Sequence, residues 1–83
     1  MSFVCYILFS QTTNHFYVGS CADMEIRLTQ HNSGRNASTK SGIPWDLVYT
    51  EFYDNHLTAY RREMEIKKKK SRKYIEWLIS SVE

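Results

Sequence analysis

A chain of 83 residues, 42% apolar and 24% charged, has room for one compact domain with a modest core, so a reactive site has to be assembled near the surface from shared elements. The net charge of +2 hides an asymmetry: Arg61, Arg62, Lys67, Lys68, Lys69, Lys70, Arg72 and Lys73 stand against only Glu63 and Glu65 in one stretch, whereas the part before it carries more acids than bases. Two cysteines without a CxxC pattern exclude a disulfide scaffold and a cysteine metal centre, and no apolar run approaches the roughly 20 residues that span a bilayer.

The N-terminus lacks the charged and apolar blocks of a signal peptide, and the expectation is a cytoplasmic protein without membrane contact. The basic segment suits a phosphate backbone, and its lack of interleaved aromatics favours phosphate contact over base stacking. The competing reading is a solvated helix face.

Phe3 to Phe9 is apolar on both alternating faces and predicts a central strand covered on two sides. Gln11 to Asn14 is a polar turn, and His15 to Gly19 predicts a second strand paired to the first as a hairpin. Helical spacing begins at Ala22 and runs to His31, with Met24, Ile26 and Leu28 as its apolar residues and Ser20 or Asp23 as the cap. Gly34 to Pro44 is nearly free of apolar side chains and predicts an exposed loop. Asp46 to Tyr53 is rich in β-branched and aromatic residues and predicts a third strand.

Asp54 or Asn55 then caps a helix to about Lys70, and Ser71 opens a last helix with Tyr74, Ile75, Leu78, Ile79 and Val82 as its docking stripe. The expected fold is α+β: a small three-stranded antiparallel sheet flanked by helices, in the order β-β-α-β-α-α.

On the second helix Ala59, Glu63 and Ile66 share one face, so a carboxylate falls within the stripe that packs on the sheet. A buried carboxylate needs a cation, a metal or several donors, which makes Glu63 a candidate metal ligand; the plain alternative is an ion pair with a nearby base. The first helix spaces Asp23, Arg27 and His31 four apart along one edge, a pattern that also fits a surface charge ladder. Tyr6 and Tyr17, on neighbouring hairpin strands, are equally consistent with packing residues.

The combination narrows these alternatives. Cys5-Tyr6-Ile7 and Tyr17-Val18-Gly19, followed in register by Arg27, His31, Thr39-Lys40, Leu47-Val48-Tyr49 and Ala59-x-x-x-Glu63, resemble the ordered motifs of the GIY-YIG nucleases over nearly the whole chain. The closing Glu65-Ile66-Lys67-Lys68 and Lys69-Lys70-Ser71-Arg72-Lys73 look like those of small free-standing bacterial members, similar to the N-terminal domain of an excinuclease component. The first motif reads Val4-Cys5-Tyr6 rather than Gly-Ile-Tyr, Ser20 stands where some relatives carry lysine, and no asparagine after Glu63 matches the one some members use.

The resemblance implies one nuclease domain over residues 1–83 with the GIY-YIG fold, and a divalent-metal-dependent endonuclease that hydrolyses DNA phosphodiester bonds, with a role in DNA repair or processing. It implies catalytic roles for Tyr6, Tyr17, Arg27, His31 and Glu63. Glu63 would hold one Mg²⁺ or Mn²⁺, weakly without DNA. Tyr17, in its ionised form, would accept a proton from the attacking water, with Tyr6 and His31 positioning it or relaying the proton, and Arg27 would stabilise the phosphate. Arg35, Lys40, Lys67 and Lys70 would grip the DNA backbone. A homodimer or protein partner would supply specificity or the second cut. The alternative is a nucleic-acid-binding domain of the same fold with little or no turnover; a third reading is a protein-interaction domain using exposed Trp45 and Trp77, the latter more readily packed on the sheet.

Overall fold

Burial on both faces puts the first strand at the centre. In the computed structural model, which describes residues 2–81, β1 (Phe3–Ser10) pairs antiparallel with β2 (His15–Cys21) on one side and β3 (Trp45–Tyr53) on the other, giving the order β2-β1-β3. Alternate β1 residues feed two cores. Cys5 and Ile7 meet Val18, Tyr49, Ile66 and Leu78 on one face, and Val4, Tyr6 and Leu8 meet Cys21 and Trp45 on the other. Helix α1 (Met24–Asn32) covers the second face with Met24 and Leu28, while α2 (His56–Lys69) and α3 (Arg72–Ser80) cover the first. The expected architecture and element order are therefore the observed ones.

The helix ends follow capping chemistry. Asp23, not Ser20, caps α1 by accepting from the Ile26 amide at 3.1 Å; Asn55 and Ser71 cap α2 and α3 in the same way. The docking stripe of α3 includes Tyr74, Ile75, Leu78 and Ile79; Val82 lies outside the described residues. Asn32, at the end of α1, donates to the Trp45 carbonyl at 3.1 Å and accepts its amide at 2.6 Å, which clamps the helix to the start of β3.

Three expectations change. The segment from Gly34 to Pro44 is not a simple exposed loop: it holds a 3-10 turn, Lys40–Gly42, and buries Thr39 and Gly42. Trp45 is buried at 6% exposure, its indole donating to the Thr39 carbonyl at 2.7 Å, so it cannot serve as a surface anchor. Trp77 stacks on Tyr74 and stays 60% exposed instead of packing on the sheet.

On the α2 and α3 side, Arg62 grips Glu51 of β3 with two bonds, Nε to Oε1 at 2.8 Å and a terminal nitrogen to Oε2 at 3.2 Å. Tyr53 and Tyr49 also donate to Glu51, and Arg62 reaches Glu65 and the Tyr74 hydroxyl. Burial by itself would raise the Glu51 carboxyl, but the bonds from Arg62, Tyr49 and Tyr53 outweigh it and hold the group below its ordinary range. Because the folded carboxyl titrates lower than the unfolded one, its contribution to stability is complete above the ordinary value of 4.5 and is lost as pH falls through the folded value. Glu51→Gln is expected to cost about 2 kcal/mol at neutral pH, the scale of charge-assisted bonds, and to lower Tm by on the order of 10 °C. Thermal melts across pH 3 to 7 should also show a flatter acid limb in the variant.

Candidate active site at the edge of the hairpin

Tyr6 and Gly19 face each other across the hairpin, and the missing side chain of Gly19 is what lets the phenol lie across β2. A Cβ built on Gly19 would stand 2.5 Å from the Tyr6 hydroxyl oxygen and 2.6 Å from Cζ. The Tyr6 hydroxyl lies 2.9 Å from His31 Nε2, and His31 Nδ1 lies 2.9 Å from Thr39 Oγ1. Thr39 in turn donates to the Asn36 carbonyl at 3.3 Å. That order of donors sets the tautomer: Nδ1–H donates to Thr39, and Nε2 accepts from Tyr6.

His31, at 1% exposure, is thus no member of a surface ladder with Asp23, which is exposed and occupied as the α1 cap. Burial, and then the positive charge of Arg27, push its imidazole below the ordinary 6.5. Burial, reinforced by Tyr17 and opposed by Arg27, raises the Tyr6 phenol, so it stays protonated as the donor. Tyr17 turns its ring edge-on to His31 at 5.0 Å between centroids and to Trp45 at 6.2 Å, and lies 6.4 Å from the Tyr6 ring. Its hydroxyl is not drawn into the Tyr6–His31–Thr39 chain.

The acid arrives from the other side of the sheet. α2 packs chiefly on β2 and β1, and its buried stripe of Ala59, Glu63 and Ile66 sets Glu63 against the outer strand at 9% exposure. Ser20 Oγ donates to Glu63 Oε1 at 2.6 Å, and Lys67 Nζ to Oε2 at 2.6 Å. The Lys67 ammonium also lies 5.8 Å from the Tyr17 ring centre, tying the acid to the phenols around the edge of β2. The negative charge of Glu63 acts on Tyr6 as well, the least of the influences on that phenol.

Arg27, half-buried on α1 and in no ion pair among the described residues, lines a hollow of ≈ 420 Å³ with His31, Arg35 and Asn36. Lys67 and Lys70 line a separate groove of ≈ 480 Å³ with Tyr17 and Arg72. Lys40 is exposed, its stem near Gly34 and hence beside Arg35 in the chain. The structure therefore bonds Tyr6 to His31, sets the Tyr17 ring against the same imidazole, brings Lys67 onto Glu63 beside that ring, and places Arg27 with Arg35 in the hollow that His31 lines, while Lys70 lines the groove beside Tyr17.

Ser20 and Thr39 also belong to this arrangement, as donor to the acid and orienter of the imidazole. Spacing does not reveal them, since their partners are remote in sequence; the Glu63–Lys67 pair was readable from its four-residue interval.

No group of three or more His, Cys, Asp or Glu side chains gathers among the described residues. Glu63 nevertheless fits a hard divalent ion: a cation already rests on Oε2, and its carboxylate and the Ser20 hydroxyl are oxygen donors, with waters and phosphate oxygens to complete a coordination shell.

A family model described as the GIY-YIG catalytic domain matches residues 2–75. A UPF0213 protein of Staphylococcus saprophyticus is 44% identical over 52 residues, 61% of this chain and 63% of that relative's length. One of Staphylococcus haemolyticus is 42% identical over 55 residues, 65% of this chain and 67% of its own. The solution NMR structure of a UPF0213 protein from Bacillus halodurans superposes with a TM-score of 0.61 at 32% identity, covering 99% of this chain and 86% of that one.

Gly19→Ala should force the Tyr6 ring aside at a cost of about 1–3 kcal/mol, measured by denaturant unfolding, with the His31 ring resonances displaced. In the unaltered chain, an NMR titration of His31 should give a midpoint below 6.5. Between that midpoint and 6.5 the unfolded chain binds a proton that the folded chain does not, so this histidine weakens the fold as pH falls through that window.

Proposed function

Given that the chain belongs to the GIY-YIG catalytic domain family, we propose that it is a DNA endonuclease that hydrolyses phosphodiester bonds with the help of one divalent ion, Mg²⁺ or Mn²⁺, and acts in the cytoplasm in DNA repair or processing. The observation that supports this reading is the approach of two phenols to one imidazole, with a buried carboxylate linked to the second phenol through Lys67 and a guanidinium, in no ion pair among the described residues, in the hollow that the imidazole lines. Membership alone does not supply the activity, because the relatives bear only the UPF0213 designation and the matched stretch covers 63% of one of them.

Hydrolysis needs a water stripped of a proton, compensation for charge building on the phosphoryl oxygens, and a phosphate held in line. A divalent ion on Glu63 would contribute Lewis-acid stabilisation of that charge. Tyr17, acting as the phenolate, takes the proton of the attacking water and leaves the step as the neutral phenol; of the two phenols it is the one whose oxygen is not committed to His31. Tyr6, held as a donor by His31 and Thr39, fixes the position of the neighbouring ring. Arg27, in no ion pair among the described residues, offers its planar fork to the phosphate, and Arg35 in the same hollow extends that contact along the backbone. Lys40 and Lys70 hold the strand on either side without reading sequence. This chain carries one such set of groups among the described residues, so cleavage of both strands, and choice of DNA structure, fall to a second copy or a protein partner.

One observation favours a second reading, a DNA-binding module without turnover: Lys67 occupies the side of Glu63 that an ion would use. A supercoiled-plasmid nicking assay with Mg²⁺ or Mn²⁺ separates the two. Glu63→Ala and Arg27→Ala should each lower nicking by about a hundredfold or more while DNA binding persists. Nicking that is equal in both variants and the unaltered protein would remove the enzyme reading, as would salt-sensitive DNA binding with no nicking at all.

A further inference from the structure

The two bonds on Glu63 differ in kind. Ser20 is part of β2, and its hydroxyl is carried on the sheet. Lys67 reaches Oε2 from one turn further along the same helix, on a flexible stem whose side chain is 41% exposed against 11% for the acid. An i,i+4 pair on an open helix face would be a minor feature, but here the carboxylate sits in the packing stripe, where losing its cation leaves a buried charge uncompensated.

Lys67 also has somewhere else to go. It lines the groove that holds Tyr17, Lys70 and Arg72, the last paired with Glu76 outside the lining, and no acid is among the lining residues. Lys70 and Arg72 on their own disfavour a further ammonium there and favour its retention on Glu63. A phosphate diester lying there reverses the preference, since it offers the same ammonium an anionic partner and adds oxygen ligands beside the acid.

We propose that Lys67 is a displaceable internal counter-ion: it keeps Glu63 closed to divalent cations in the free protein and transfers its ammonium to a phosphate diester in the adjoining groove, which opens the carboxylate to the metal. The inference rests on the endonuclease reading. It makes metal binding and phosphate binding cooperative through one side chain, and by linkage each must strengthen the other. Ser20 keeps its bond to Oε1 in both states and holds the carboxylate in place through the exchange.

The test is a Mn²⁺ titration of the protein alone, with free ion read by electron paramagnetic resonance. Lys67→Met should bind Mn²⁺ about tenfold more tightly than the unaltered chain or better, the scale of one charge-assisted contact. Lys67→Arg should stay at the unaltered affinity, and Glu63→Gln combined with Lys67→Met should lose the gain. Equal affinity in Lys67→Met and the unaltered chain overturns the proposal.

A second measurement needs no folded variant: in EDTA, adding a short DNA duplex should shift the Glu63 side-chain carboxyl carbon resonance of the unaltered protein, and an unmoved resonance overturns the proposal equally. Plasmid nicking keeps the two readings apart. Nicking with unchanged Mn²⁺ affinity in Lys67→Met rejects the counter-ion role alone, whereas tighter Mn²⁺ binding in that variant without nicking by the unaltered protein rejects the endonuclease reading alone.

Discussion

Glu63 sits between Ala59 and Ile66 at 9% exposure, where an uncompensated negative charge costs several kcal/mol, and the surrounding structure answers it from two elements. A serine on the outer strand donates to one oxygen and a lysine one turn along the helix to the other. α2 must therefore lie across β2 in one register, and that register brings the Lys67 ammonium to the face of Tyr17. The acid is tolerated because it is paired, and one of its two partners is largely exposed.

The second requirement is a strand with a gap in its side chains. Gly19 lets the Tyr6 phenol cross β2, and its hydroxyl reaches an imidazole buried beneath α1. The chain from Tyr6 through His31 and Thr39 to the Asn36 carbonyl is a run of satisfied donors and acceptors, and no buried side-chain nitrogen or oxygen among the described residues lacks a partner. A satisfied network of this kind is rigid. It holds Tyr6 as a fixed donor, while Tyr17 touches the chain only through ring contacts. An edge strand is the natural place for such a site, because elements from both faces of the sheet can reach around it.

Much of this was legible in the chain itself. The two-sided apolar run of Phe3 to Phe9 required a central strand, and the interval from Ala59 through Glu63 to Ile66 placed an acid in a packing stripe; both are local patterns with a fixed period. What local pattern does not carry is partnership across the fold. Thr39 lies in a polar stretch that reads as solvent-exposed, yet it is buried because His31 and Trp45 need its oxygens. Arg62 reads as one base among many, and only the pairing of β3 beneath α2 shows that it binds both carboxylate oxygens of Glu51, each of which also accepts from a tyrosine. The exchange of roles between Trp45 and Trp77, one buried and one exposed, likewise follows from where the loop and α3 settle. The motif resemblance reached further than periodicity because it encodes such remote partnerships, but it did not anticipate Lys67 closing over the acid.

The proposed active site is a convergence of these groups on one phosphate and one divalent ion. Its most direct test is a crystal structure of the Tyr17→Phe protein with a short DNA duplex and Mn²⁺, in which anomalous scattering locates the ion. Mn²⁺ is expected within coordination distance of Glu63, with a backbone phosphate between it and Arg27, and the Lys67 ammonium on that phosphate rather than on the acid. Mn²⁺ bound elsewhere, or DNA lying on the α3 face with Glu63 still paired to Lys67, would contradict that convergence.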